Sequence, residues 1–228
     1  MTARRFTLRT IAGMVHVTGL ALLLATAGPR AQGARGARGG AAAPDPTKAQ
    51  KLELTAGTKA RYRVTEQLAG INFPSDAVGT TEAITGAIIV NPDGSIAPDS
   101  KIVVDLKTIT SDQSLRDNYV QTRTFEIAKF PNLEFVPTKA AGLPSPLPAG
   151  GQAQAGFQLT GNTTLHGVTR ETTWNVVATF GPTSVAGRAT TTVDFAMFDM
   201  AKPTLARLLS VDDKIQLEIE FRCTRSVR

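Results

Sequence analysis

The sequence predicts an all-β fold: about eight or nine antiparallel strands curled into a barrel or sandwich, with one or two short helices covering an end. Three observations carry this. The dominant hydrophobic period is two, most completely in Lys214–Arg222, where Ile215, Leu217, Ile219 and Phe221 alternate with Gln216, Glu218, Glu220 and Arg222. Turn punctuation recurs between the apolar runs, at Asn91-Pro92-Asp93-Gly94, His166-Gly167 and Gly181-Pro182. Some strands are apolar on both faces, as in Ala87-Ile88-Ile89-Val90. A lone sandwich sheet would expose one such face, whereas a barrel with a ligand inside can use both.

Residues 1–27 are expected to be an export signal. Arg4, Arg5 and Arg9 form a basic start, Leu20-Ala21-Leu22-Leu23-Leu24 an apolar centre, and Ala25-Thr26-Ala27 a small-residue exit. The apolar stretch is interrupted by His16, Thr18 and Gly19 and falls short of a bilayer span. Residues 28–47, rich in Ala, Gly and Pro, bear no apolar side chain larger than proline and are expected to form a disordered leader. The folded domain is placed at 48–228. The predicted location is periplasmic or secreted.

Along the domain, strands are expected at Ala60–Leu68, Ala83–Val90, Lys101–Leu106 and Leu133–Thr138. Gln152–Leu165 reads as one long strand or two with a bend at Gly161. Further strands are expected at Thr172–Phe180, at the threonine-rich Val185–Phe195 and at Lys214–Arg222. Ser111–Phe125, with Leu115, Tyr119 and Val120, predicts a short helix over one end of the sheet, capped by Ser111 or Asp112. Pro203 followed by Leu205, Leu208 and Leu209 predicts a second helix over Thr204–Ser210. The proline-rich 142–151 stretch predicts a stiff loop.

The net charge of +6 says little about partners. Residues 1–47 hold six of the 25 basic and one of the 19 acidic groups, leaving 19 and 18 in the domain. That balance gives no basic stripe for nucleic acid. Cys223 is the sole cysteine, so the core alone must hold the domain. Its expected role is an inert, semi-buried thiol.

Four stretches carry a family resemblance. They are Ser100–Ile109; Ser111–Val120, with its Leu115 and Arg116-Asp117; Thr124–Phe135, with Phe130-Pro131; and Leu159–Arg170. Together, from about Arg61 to Phe221, the chain resembles the YceI-like family of bacterial polyisoprenoid-binding proteins. The resemblance implies an extended, lipocalin-like antiparallel β-barrel that holds a long isoprenoid chain in an apolar tunnel. The chain departs from the family pattern at Val193–Met200. Ala196 or Met197 stands where an arginine is expected, and Met200 replaces the glycine of an aspartate-phenylalanine-glycine turn. The departure implies a different hold on the ligand's polar end, or another lipid.

The candidate ligand-binding residues are Phe125, Phe135, Phe157, Trp174 and Phe195 along the tunnel, with Arg116 either at its mouth or tying the helix to a strand. No catalytic or metal residues are proposed. The domain has one histidine, His166, expected to fix its turn by local hydrogen bonds, and no Gly-x-Ser-x-Gly elbow. No cofactor is required. The leading expectation is a binding, storage or transport protein for an amphiphilic isoprenoid-type lipid or quinone, with transient membrane contact at most. The competing reading is a non-catalytic structural or interaction module with a filled barrel, paired as a homodimer or with another partner. An enzyme acting on a molecule held inside is the weakest.

Overall fold

The computed structural model describes residues 42–228. The expected export signal and most of the expected leader lie outside the described residues.

The described residues form eleven strands: β1 (Gln50–Leu54), β2 (Lys59–Leu68), β3 (Ser75–Thr81), β4 (Ile84–Val90), β5 (Lys101–Asp105), β6 (Asn132–Ala141), β7 (Ala153–Leu165), β8 (Val168–Phe180), β9 (Ser184–Asp194), β10 (Leu208–Val211) and β11 (Lys214–Val227). All pair antiparallel. Neighbours run β1-β4-β5-β6-β7-β8-β9-β11, and β11 returns to β1, which closes an eight-stranded barrel. Closure leaves those strands without a free edge.

The barrel is long because two strand pairs act as interrupted single strands. The carboxyl half of β11 pairs with β1 (Leu54 opposite Cys223), and its amino half pairs with β2 (Ala60 opposite Ile219). The break between them is a turn at Thr55–Thr58, where Gly57 takes a φ of +85° and Thr58 Oγ1 accepts from the Arg222 N–H at 3.0 Å. In the same way β3 and β4 are separated by two residues, Glu82 and Ala83. β3 and β10 flank β2 as additional strands.

The period-two reading holds along the wall. On β11 the Ile215, Leu217, Ile219 and Cys223 side chains are buried, and on β8 those of Trp174, Val176, Ala178 and Phe180. β7 and β8 meet in a two-residue turn, with His166 and Gly167 at φ of 51° and 75°. Positive φ at both central residues matches the twist of a tight hairpin. β7 is one continuous strand. The irregularity lies on its partner β6, between Pro137 and Lys139, and Gly161 faces it. A Cβ at Gly161 would sit 2.3 Å from the Val136 carbonyl oxygen. That glycine serves close backbone approach, not a bend.

The helix expectations need revision. One short α-helix, α1 (Ser114–Tyr119), forms, and a π-helical turn (Val120–Thr124) follows it. The N-cap is Gln113, without a side-chain cap bond. Ser111 instead donates from its N–H and its hydroxyl to Asp117 Oδ1, at 2.8 and 2.6 Å, and Asp112 pairs with Arg116. The second helix, over Thr204–Ser210, is absent. Leu208–Val211 is β10 instead, because the exposed edge of β2 supplies ladder partners at Glu66–Leu68. Tertiary pairing overrides the local leucine spacing there. Three strands escaped the sequence reading: β1, β3 and β10.

Candidate functional site

The inward side chains leave an apolar space along the barrel, divided into two chambers. The first spans about 750 Å³, its opening included, against walls from β1, β4, β5, β6, β7, β8, β9 and β11. Leu52, Ile88, Phe157, Val176, Phe180 and Phe221 represent those walls. The second spans about 420 Å³, its opening included, beneath the end that α1 covers, against Tyr62, Leu106, Ile109, Phe125 and Leu133. Trp174 and Ile219 line both. The Trp174 ring meets that of Phe135 at 5.7 Å between centroids, a tilted contact on the first-chamber side. Rings meet there and, in the second chamber, at Tyr62 and Phe125 (6.2 Å between centroids), and apolar space remains beside both contacts.

Of the sequence candidates, Phe135, Phe157 and Trp174 line the first chamber, and Phe125 and Trp174 the second. Phe195 and Arg116 line neither. Phe195 is buried at the end of β9, where it opens the 3₁₀ turn Ala196–Phe198. Arg116 donates to Glu66 Oε1 at 2.6 Å and also to Asp112, which ties α1 to β2. This is the helix-to-strand tie of the two roles considered. Phe180 and Phe221 share the inward parity of Trp174 and Ile219, and that alternation marks them as wall residues in the sequence. Leu52 and Leu54, on β1, carried no such signal in so short a strand.

The first chamber ends in polar groups. Arg225 continues the inward parity of β11, and Gln50 that of β1; they are 5% and 2% exposed. Arg225 Nε donates to Gln50 Oε1 at 2.6 Å. Its Nη1 donates to the Pro148 and Gly181 carbonyls at 2.5 and 3.1 Å, and its Nη2 to the Leu147 carbonyl at 3.5 Å. Burial pulls this guanidinium below the usual arginine value. Its partners are neutral oxygens, so it draws the 142–151 loop over the barrel end without a carboxylate.

One pair of interior polar groups satisfies itself. The Thr163 and Thr172 hydroxyls meet at 2.6 Å. Burial pushes the Tyr62 hydroxyl up to about 12, and the Cys223 thiol likewise up to about 12. A thiol so poorly ionised is a weak nucleophile, which makes Cys223 a wall group. The exceptions among the described residues are Thr124 Oγ1 and Trp174 Nε1, which are fully buried and have no hydrogen-bond partner in the protein. Leaving such a donor unpaired costs about 1–3 kcal/mol.

His166 does more than fix its own turn. Nδ1–H donates to the Phe198 carbonyl at 3.1 Å, and Nε2 faces Glu126 Oε2 at 3.0 Å. It joins the β7–β8 hairpin to the segments after β9 and after the π-helical turn. Hydrogen bonds from Lys129 and His166 lower the Glu126 carboxyl. The departure at Met200 is also accounted for, because Asp199 takes the left-handed conformation (φ 52°) and Met200 is buried. Glycine is not needed at position 200. Among the described residues, no three His, Cys, Asp or Glu side chains gather as a metal site.

A YceI-like domain model matches residues 55–223. Among solved structures, a polyisoprenoid binding domain from Saccharophagus degradans aligns at a TM-score of 0.57 with 12% identity, covering 78% of this chain and 98% of that one. Burkholderia cenocepacia BcnA aligns at 0.55 with 17% identity, covering 74% and 98%. A Campylobacter jejuni YCEI protein aligns at 0.55 with 16% identity, covering 69% and 90%. At these identities the likeness concerns the fold. No curated protein matches significantly. The domain match spans most of the barrel, from the turn after β1 to the inward Cys223 of β11, and on that ground the chain belongs to the YceI-like family.

Proposed function

We propose that this protein holds a long isoprenoid-type lipid in the barrel and carries or stores it without transforming it. The observation that carries the reading is the paired apolar chambers meeting at Trp174. Burying a hydrocarbon chain there is worth about 0.8 kcal/mol per methylene before the costs of binding. Affinity then follows from length and shape more than from polar recognition. Family membership and the polyisoprenoid binding domain among the structural neighbours support a lipid-binding barrel. The basic, apolar and small-residue segments of 1–27 support export to the periplasm or beyond.

Organic extraction of the purified protein followed by mass spectrometry should release a prenyl-chain lipid. Added isoprenoids should perturb fluorescence from Trp174, the chain's sole tryptophan. An empty extract together with unchanged fluorescence would leave the filled, structural barrel as the better account.

The end that α1 covers supports a transient lipid-surface contact. Five large apolar side chains stand exposed on segments tied together there: Ile71 (50%), Phe73 (78%), Leu115 (81%), Leu205 (39%) and Leu209 (67%). The ties are the Arg116–Glu66 ion pair, the pairing of Leu208 with Leu68, and the bond from Ala69 N–H to the Arg207 carbonyl at 2.8 Å. Inserting two such side chains into an interface is worth about 3 kcal/mol. Phe73→Ser with Leu115→Ser is therefore expected to weaken vesicle binding more than tenfold and to leave the affinity for a detergent-dispersed lipid unchanged. Unchanged vesicle binding rejects the contact. Sedimentation showing a dimer that the double variant dissociates would assign the patch to a second copy of the chain instead.

A further inference from the structure

We propose that α1 is a lid on the second chamber, latched to β2 by the Arg116–Glu66 ion pair, and that lipid enters and leaves the barrel at this end. This rests on the lipid-carrier reading above and adds the route. None of the residues of α1 is buried, and its Leu115 points outward at 81% exposure. The helix therefore contributes nothing to the core, and six residues are too few to persist as a helix on propensity alone. Outside residues 111–125, its side chains bond to two groups among the described residues. Arg116 Nη2 donates to Glu66 Oε1 at 2.6 Å. The Tyr119 hydroxyl accepts from the Thr204 N–H at 3.2 Å and meets Thr204 Oγ1 at 3.4 Å.

The flanks are fixed where the helix is not. Before it, Ile109 is buried and Thr110 exchanges backbone hydrogen bonds with Thr80 at 2.8 and 3.0 Å. After it, Val120 and Phe125 are buried, and the Phe125 N–H donates to the Val120 carbonyl at 2.8 Å across the π-helical turn. The Gln121 side chain donates to the Ile109 carbonyl at 2.9 Å and holds the two flanks together. Between them, Ser111 bonds to Asp117 and Arg116, and Asp112 to Arg116, so that 111–119 can swing as one body. Ile109 and Phe125 line the second chamber from the flanks, and Tyr62 lines it from β2. The charges of Arg116, Asp117, Glu66 and Asp112 act on the Tyr62 hydroxyl, so that ring reaches from the chamber to the latch. The opposite end is built otherwise, with Leu147 buried and Arg225 holding four acceptors. Opening the α1 end breaks one ion pair and one tyrosine contact and uncovers no residue of the helix. Because Leu115 belongs to the exposed apolar patch, a lipid surface that takes it up pulls on the lid itself.

A latch sets the rates of entry and exit alike and leaves their ratio unchanged while the closed form dominates. The test follows farnesyl anthranilate, whose fluorophore takes energy from Trp174 while bound. Loaded protein is mixed with excess phosphatidylcholine vesicles, and the decay of energy transfer gives the release rate. Glu66→Gln keeps the side chain's shape without its charge; it is expected to speed release about tenfold and to hold the equilibrium affinity within about twofold. Arg225→Met, at the opposite end, is expected to change the release rate by less than about twofold. Release no faster in Glu66→Gln, or faster in Arg225→Met than in Glu66→Gln, overturns the lid and leaves the carrier reading standing. An affinity that weakens in step with faster release makes α1 a fixed wall and overturns the lid as well. No energy transfer on loading removes the carrier reading and the lid together. Should Glu66→Gln fail to fold, Tyr119→Phe removes the helix's other contact and is read in the same way, with release expected about threefold faster.

Discussion

Replacing Ala178 by phenylalanine is expected to abolish lipid uptake while the barrel remains folded. Ala178 is 1% exposed and faces the first chamber between Val176 and Phe180 on β8. A benzyl group at this position projects into the space a chain would occupy. Excluding even three methylenes forfeits about 2 kcal/mol, roughly thirtyfold in affinity, and a blocked passage forfeits more. Overpacking a filled core costs about 1–3 kcal/mol, but here an existing cavity can accept the ring, so the stability loss should lie at the lower end. Binding measured with a prenyl probe, beside thermal unfolding, separates the two effects. Undiminished binding by a folded Ala178→Phe protein would show that the ligand does not use the first chamber. A severe loss of stability would show that the chamber is already full.

Arg225→Met is expected to cost about 2–4 kcal/mol of stability and to release the 142–151 loop. Two effects oppose each other. Removing a buried guanidinium that has neutral partners relieves the burial that lowers its proton affinity. Against this, four acceptors lose their donor: Gln50 Oε1 and the carbonyls of Leu147, Pro148 and Gly181. Several unsatisfied acceptors, at about 1–3 kcal/mol each when they stay buried, outweigh the relief. Part of the penalty returns as the loop opens and its carbonyls reach water. Urea unfolding gives the first quantity. Hydrogen exchange at the amides of 142–151 gives the second, with faster exchange expected in the loop and little change in β7 and β8. Unaltered exchange in the loop would show that Leu147, buried at 5% exposure, holds it by packing alone.

Most of the wall was legible in the sequence because inward and outward side chains alternate along each strand. Ile215, Leu217, Ile219 and Phe221, and likewise Trp174, Val176, Ala178 and Phe180, announce a half-buried strand whatever lies next to them. The hairpin at His166-Gly167 was equally local, since positive φ at two successive residues favours such a pair. β10 was not legible. Its leucines suit either structure, and the free edge of β2 decided between helix and strand. The arginine candidate illustrates the same limit: nothing near Arg116 in sequence says that Glu66, 50 residues away, would hold it.

By itself, then, the sequence determined the class of structure, the face each strand turns inward and the oily character of what that face encloses. These follow from local pattern, which any register of the strands would preserve. The tertiary structure alone decided that β11 returns to β1, that Trp174 lines both chambers with an unpaired donor, and that Arg225 meets Gln50 across 175 residues to close one end. Closure, chambers and plug depend on strand order and register, and these are set by contacts between residues far apart in the chain.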